Sequence, residues 1–334
     1  MIPLRKNSTI SPEEVSELIK THYASLMQAF YESQSSFLCG VYRRYRSIET
    51  ANIILCFSRN VHLSIIRQRE KDLNFNVSRE NFWKNFSGID RPTEKITEVV
   101  KMTGIPKETV RRKIKNLMNT GFLLKDKKNN GYSWNLPLKE RESLFKIIDD
   151  QTKNLSIFIS KIMHSLNIKF DNKVIENEIR SQFSFYWYHY LSCQLDWLKW
   201  WQLKLKDNDL LLIVLQATLP TLKYIDKTVN EINLDNVFKI IGQVNKDECK
   251  NCSISATSVA EVTGIPRATS IRKLEKLVSY GFLTREEKTK RYSVNQSIDA
   301  RTKNILSKEN VGFTIKTFSE YIAIILNSLM HRKS

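Results

Sequence analysis

Residues 97–135 read TEVVKMTGIPKETVRRKIKNLMNTGFLLKDKKNNGYSWN, and residues 257–295 read TSVAEVTGIPRATSIRKLEKLVSYGFLTREEKTKRYSVN. The two stretches are identical at 17 of their 39 positions, without a gap, at a constant offset of 160 residues. Such self-similarity at a fixed period indicates a repeated structural unit. The chain is therefore predicted to contain two homologous domains, residues 1–166 and 167–334, each large enough for its own core.

Within each copy the same order of elements is predicted. In the second copy a short helix ends at Gly264, because glycine accepts the left-handed conformation at a helix terminus. Pro266 suits the first turn of the next helix, which is predicted to end at Gly281. Two alternating segments then predict a β-hairpin with a charged tip, over residues 282–285 and 291–294. The first copy repeats this order around Gly104, Pro106 and Gly121.

Helical periodicity flanks both of these cores. The fold class that follows is mainly α, with two winged helix-turn-helix domains, flanking helices and small β-hairpin wings. The predicted flanking helices are 13–36, 48–71, 78–86 and 138–166 in the first copy, and 176–206, 208–230, 234–244 and 313–330 in the second.

The pattern resembles winged helix-turn-helix transcription regulators of the MarR and IclR type. The likeness lies in the Thr-Gly-Ile-Pro opening at 103–106 and 263–266 and in the Gly-Phe-Leu exit at 121–123 and 281–283. It covers about 40 residues of each copy. The resemblance implies that the second helix of each motif enters the major groove of DNA.

That second helix has an apolar face and a basic face. Arginine can read guanine through two hydrogen bonds, threonine can meet a thymine methyl, and lysine suits phosphate. The residues expected to contact DNA are Lys107, Thr109, Arg111, Arg112, Lys113, Lys127 and Lys128 in the first copy, and Arg267, Thr269, Ser270, Arg272, Lys273, Lys288, Lys290 and Arg291 in the second. There are two alternatives to DNA contact. The basic helix face is merely solvated, or one of the two copies serves only as a scaffold.

The net charge of +18 is concentrated in these two stretches. Residues 97–135 carry nine basic and three acidic residues, and residues 257–295 carry eight and four. The stretches therefore hold +10 of the +18 in under a quarter of the chain, which favours a polyanionic partner over a general lysine bias of an AT-rich genome.

Two other features have competing interpretations. The aromatic stretch 183–201 is more typical of helix packing than of an effector pocket. Cys249 and Cys252 form a lone C-x-x-C without further zinc ligands nearby, so ordinary thiols are favoured over a metal site or a redox switch.

The sequence predicts neither an enzyme nor a cofactor, because it has no Walker loop, dinucleotide fingerprint or nucleophile elbow. The scattered cysteines, the lack of a signal-like apolar segment in residues 1–11 and the short apolar run 210–219 predict a cytoplasmic protein without membrane partners.

The function predicted from these features is sequence-specific binding of double-stranded DNA, as a transcriptional regulator. The two copies are expected to pack as an intrachain pseudo-dimer with recognition helices about 34 Å apart along the duplex. A small-molecule effector and a further homodimer stay open. The alternatives are a plasmid replication initiator with tandem winged helices and a chromosome-organising, protein-binding scaffold.

Overall fold

The computed structural model describes residues 9–228, 232–243, 252–295 and 307–331. Within these ranges the chain is mainly helical, with two small antiparallel sheets. Half one contains α1 (Pro12–Thr21), α2 (Tyr23–Tyr45), α3 (Ile48–Lys71), α4 (Phe82–Gly88), β1 (Thr93–Glu94), α5 (Ile96–Thr103), α6 (Lys107–Asn119), β2 (Leu123–Lys125), β3 (Tyr132–Trp134) and α7 (Leu138–Ser165). Half two contains α8 (Asn172–Ser181), α9 (Phe183–Leu205), α10 (Asp209–Thr228), α11 (Leu234–Gln243), α12 (Ala256–Thr263), α13 (Arg267–Ser279), β4 (Leu283–Arg285), β5 (Tyr292–Val294) and α14 (Lys308–His331).

The sequence repeat is also a structural repeat. Helices α1, α2, α5 and α6 and strands β2 and β3 recur, at the offset of 160 residues, as α8, α9, α12, α13, β4 and β5. The predicted boundary between residues 166 and 167 lies in the connection from α7 to α8. The bounds predicted for the helix 48–71 are those of α3.

The long helices predicted at 13–36 and 176–206 are each divided in the structure. The breaks lie at the equivalent residues His22 and Gln182, whose backbone angles are nearly the same (φ −106°, ψ 41° and φ −111°, ψ 39°). Neither residue is a helix breaker by type. The division has a tertiary cause, because α1 and α8 each turn away to pack on the last long helix of the other half, α14 and α7 respectively.

The two halves interlock through reciprocal contacts. Helix α2 packs on α10, and its counterpart α9 packs on α3, which is the counterpart of α10. In the same way α1 packs on α14 and α8 packs on α7. The same pair of surfaces is thus used twice, once from each half, which is the definition of an isologous interface. The two halves are therefore related by a pseudo-two-fold axis.

The axis passes between two equivalent glutamines. The fully buried Gln194 donates a short hydrogen bond from Nε2 to Oε1 of Gln34, its counterpart in half one. The Tyr190 hydroxyl accepts hydrogen bonds from Gln194 (2.7 Å) and from Gln151 of α7 (2.8 Å). A buried polar cluster thus lies on the axis between the two halves.

The hydrophobic core is continuous through both halves. Phe30 of α2 lies 4.7 Å, ring centre to ring centre, from Phe318 of α14, and 6.3 Å from Trp197 of α9. The core predicted for each copy separately is therefore one shared core, because apolar side chains of α2 and α9 are buried against helices of the other half. In the part of the chain that the structure describes, no helix is both long and apolar enough to cross a membrane.

Candidate nucleic-acid interface

The Thr-Gly-Ile-Pro sequence builds the same turn in both halves. The Thr103 hydroxyl donates to the Val99 carbonyl (2.7 Å) and accepts from the Ile105 backbone N–H (3.2 Å). Gly104 has a left-handed φ of +69°, and Ile105 is fully buried. Since Pro106 precedes the first turn of α6, four residues stop one helix, reverse the chain and start the next.

In half two the corresponding bonds measure 2.7 Å from the Thr263 hydroxyl to the Val259 carbonyl and 3.1 Å from the Ile265 N–H to the Thr263 hydroxyl. The identity of these residues between the copies therefore has a structural cause, the shape of the turn between two helices.

Helix α6 rests on the core through Val110, Ile114 and Leu117, as its apolar stripe predicts. In α13 the same positions hold Ser270, Leu274 and Leu277. Ser270 is fully buried, and its hydroxyl donates to the Ile265 carbonyl (3.2 Å). The prediction of a DNA contact for Ser270 is wrong, because the residue occupies the core position that Val110 holds in half one.

Lys113 and Lys273 are also turned inward. Lys113 Nζ donates to the hydroxyls of Ser47 (3.1 Å) and Thr50 (3.0 Å) and lies 3.4 Å from Glu49 Oε2. Its counterpart Lys273 has a side chain only 9% exposed, with Nζ 2.6 Å from Asp207 Oδ2 and 3.5 Å from Asp209 Oδ2. Both lysines hold their helix to the start of the long helix that follows α2 or α9. The prediction that these two residues contact phosphate is therefore wrong.

The other predicted residues of α6 and α13 lie at the surface. Thr109 and Thr269 are half-buried, while the exposed residues are Lys107, Arg111, Arg112, Arg267 and Arg272. Arg111 forms an exposed ion pair with Glu108, 2.9 Å away. Arg112 and Arg272 occupy equivalent positions, and neither side chain has a hydrogen bond or ion pair among the described residues.

The hairpin of half one is part of a three-stranded antiparallel sheet in the order β1-β3-β2. Leu123 pairs with Trp134, and Lys125 with Tyr132. Lys127 and Lys128 are exposed at the tip. Strand β1 was not expected from the sequence, because two residues give no visible alternation; Thr93 pairs with Ser133.

The basic residues of the hairpin in half two have more partners within the protein. Lys288, Lys290 and Arg291 are all exposed, but Lys290 pairs with Glu287 (3.2 Å), and Arg291 Nε donates to the Ser253 hydroxyl (2.7 Å). Lys288 keeps the position of Lys128 and has no side-chain partner among the described residues.

At the base of this hairpin, Arg285 pairs with Glu275 (2.8 Å), which also accepts from the Tyr292 hydroxyl (2.6 Å). Burial, together with the Glu275 carboxylate, raises the pKa of Tyr292 to about 12. Tyr292 is therefore a neutral donor in the physiological range, and Arg285 is bound within the protein.

The aromatic stretch 183–201 is used in packing. Trp187, Trp197 and Trp201 are buried, and Trp200 stacks on Phe313 with 4.1 Å between ring centres. The cavity beside Trp197 has about 20 Å³, which suffices for a water molecule at most. An effector pocket at this place is therefore not formed.

Cys252 is buried, whereas Cys249 lies outside the described residues, so the C-x-x-C pair as a whole is not described. Among the residues that are described, no group of three or more His, Cys, Asp or Glu side chains could hold a metal ion.

Comparison of this chain with protein-family models, with curated proteins and with solved structures finds no match in any of the three.

Proposed function

We propose that this chain is a sequence-specific double-stranded DNA-binding protein, and specifically a transcriptional regulator, that carries two winged helix-turn-helix motifs. Each motif comprises two helices joined by the tight turn, α5–α6 and α12–α13, followed by a two-stranded hairpin. The second helix of each pair would enter the major groove, and the hairpin tips would lie along the backbone.

One observation carries this proposal. Most residues that are identical between the copies shape the turn between the two helices, pack in the core or, like Lys113 and Lys273, bind acidic or hydroxyl groups inside the protein. Arg112 and Arg272 do not, since both are exposed and without partner groups among the described residues. An arginine that is kept in two diverging copies without a role inside the protein suits an external anionic or guanine-bearing partner.

The symmetry of the fold favours one kind of DNA site. Two recognition helices that are related by a two-fold axis meet half-sites of opposite direction, so the site is an imperfect inverted repeat. A replication initiator that binds directly repeated sites would need its two motifs in the same direction. The reciprocal packing of the halves therefore favours the regulator.

The two half-sites need not be the same. Residues 126 and 127 at the tip of hairpin one are Asp and Lys, whereas the equivalent residues of half two are Glu286 and Glu287. Residues 125–131 and 285–291 carry the same net charge of +2, but Lys290 and Arg291 of the second hairpin already have partners within the protein. We therefore expect half two to contribute less to the salt-dependent part of binding.

The first test is selection of duplexes from a random pool, followed by titration of Arg112→Ala, Arg272→Ala and the control Arg67→Ala. Arg67 is exposed on α3, outside the residues of both motifs, and its substitution causes the same loss of charge. Each motif variant should lose about 1–3 kcal/mol of binding free energy and relax base preference in one half-site only.

Arg67→Ala should bind like the wild type. The proposal fails if no duplex is enriched, or if both motif variants retain wild-type affinity and base preference. Enrichment of direct repeats instead of inverted repeats would favour the initiator.

A further inference from the structure

The two candidate recognition helices are joined to each other by a short chain of partly buried polar contacts. On one side, Lys113 of α6 contacts Glu49 and two hydroxyls in the segment where α3 begins. On the other side, Lys273 of α13 contacts Asp207 and Asp209 at the start of α10. The two groups lie at equivalent places in the two halves.

Asp209 connects the two groups across the pseudo-two-fold axis. Its Oδ2 lies 3.5 Å from Lys273 Nζ, within half two. Its Oδ1 accepts a hydrogen bond of 2.9 Å from the backbone N–H of Ile48, the first residue of α3 in half one. The Asp209 carboxylate therefore contacts Lys273 of α13 and also the first residue of α3. Since Lys113 of α6 is bound at the same end of α3, Asp209 links the two candidate recognition helices. We call the group Lys113, Glu49, Asp209 and Lys273, with the Ile48 N–H, the anchor bridge.

The anchor bridge is largely shielded from water. The side chains of Lys113, Glu49, Asp209 and Lys273 are 15%, 23%, 18% and 9% exposed. Shielded ion pairs keep their geometry better than surface pairs, because water and salt compete with them less. Burial raises the pKa of Asp209, and the Lys273 charge opposes that rise. The lysine thus helps to keep the carboxylate ionised.

We propose that the anchor bridge sets the separation and relative orientation of α6 and α13, so that it determines which spacing between two DNA half-sites the protein accepts. This inference rests on the proposed function. Lys113, Asp209 and Lys273 are positioning residues in this scheme and touch no base or phosphate. Their identity or similarity between the copies follows from that shared task.

The test compares duplexes in which the selected half-sites are moved apart or together by one or two base pairs. Two base pairs shift one half-site by about 7 Å and rotate it by about 70° around the duplex. The proteins are the wild type, Lys273→Met, Asp209→Asn and the control Lys204→Met, which removes an exposed ion pair with Glu309 that is not part of the anchor bridge.

The wild type and Lys204→Met should lose affinity by about tenfold or more when the spacing changes by two base pairs. In Lys273→Met and Asp209→Asn that loss should fall below about threefold, while affinity for a single half-site stays within about twofold of the wild type. Unchanged spacing dependence in both variants would overturn the anchor bridge and leave the DNA-binding proposal intact. A wild type that binds no specific DNA would overturn both.

A measurement on the free protein separates a moved helix from a general loss of fold. Spin labels on ketone-bearing amino acids at the exposed, equivalent positions Asn119 and Ser279 report the distance between α6 and α13. Lys273→Met should broaden the distance distribution at an unchanged helical circular dichroism, whereas Lys204→Met should not. An equally narrow distribution in Lys273→Met would contradict the proposal without any reference to DNA.

Discussion

At the scale of single residues, the identities between the copies separate into internal and external positions. Thr103 and Thr263 shape a turn, and Lys113 and Lys273 fasten a helix. Arg112 and Arg272, by contrast, point to no partner among the described residues. Identity between the copies therefore marks residues that both halves need. Burial and contacts then show whether a residue is needed inside the protein or is free to meet an external partner.

Some of this could have been deduced from the sequence. Aligning the copies places Ser270 opposite Val110, a position on the apolar stripe, so its burial was foreseeable. The burial of Lys113 and Lys273 was not, because their acidic and hydroxyl partners lie about 66 residues earlier in the chain. Helical periodicity carries no information about such distant partners.

A buried histidine gives a prediction at this scale. His62 of α3 stacks on Phe82 (4.9 Å between ring centres), and burial lowers its pKa from 6.5 to about 3. The unfolded chain therefore takes up a proton between pH 6.5 and 3 that the folded chain excludes, so stability falls as the pH decreases through this range.

Between pH 7 and pH 5 this residue should cost the wild type about 2 kcal/mol of unfolding free energy. His62→Phe should remove that part of the pH dependence, whereas the exposed His164→Gln should not. Urea unfolding at the two pH values measures the difference, and an equal pH dependence in wild type and His62→Phe would refute the assignment.

At the scale of elements, the sequence predicts those parts whose cause is local. The turn at Gly104, the start of α6 and the bounds of α3 all follow from nearby residues. The breaks at His22 and Gln182 and the two-residue strand β1 do not, because each exists only through contact with a distant element.

The glycine in the turn between α12 and α13 gives a prediction about stability. Gly264 has φ +80°, and a Cβ there would lie 2.9 Å from Cγ of Arg43, whose guanidinium donates to carbonyls at the end of α12. Gly264→Ala should lower the unfolding free energy by about 1–2 kcal/mol, because both the backbone angle and the space oppose a methyl group.

The matched control is Gly88→Ala at the end of α4, where an added Cβ meets nothing within 4 Å. Chemical denaturation of both variants gives the comparison. If Gly264→Ala is as stable as Gly88→Ala, the left-handed turn contributes nothing to the fold, contrary to its place in the motif.

At the scale of the whole molecule, the interlocked halves should fold as one unit. Without half two, the side of α2 that packs on α10 would face water, and Gln34 would lose its partner Gln194. Polypeptides of residues 1–166 and 167–334 should therefore show no cooperative unfolding alone and should regain it on mixing. A fragment that unfolds cooperatively as a monomer would show that one half has a sufficient core.

The short connection between Ser165 and Asn172 has a consequence for assembly. Two subunits on separate chains come apart on dilution, whereas tethered halves meet at an effective concentration in the millimolar range or above, whatever the number of molecules in the cell. The two-fold arrangement is thus complete as soon as one polypeptide has been synthesised. Each half is also encoded separately, so a substitution such as Glu287 opposite Lys127 changes one face of the molecule and leaves the other as it was.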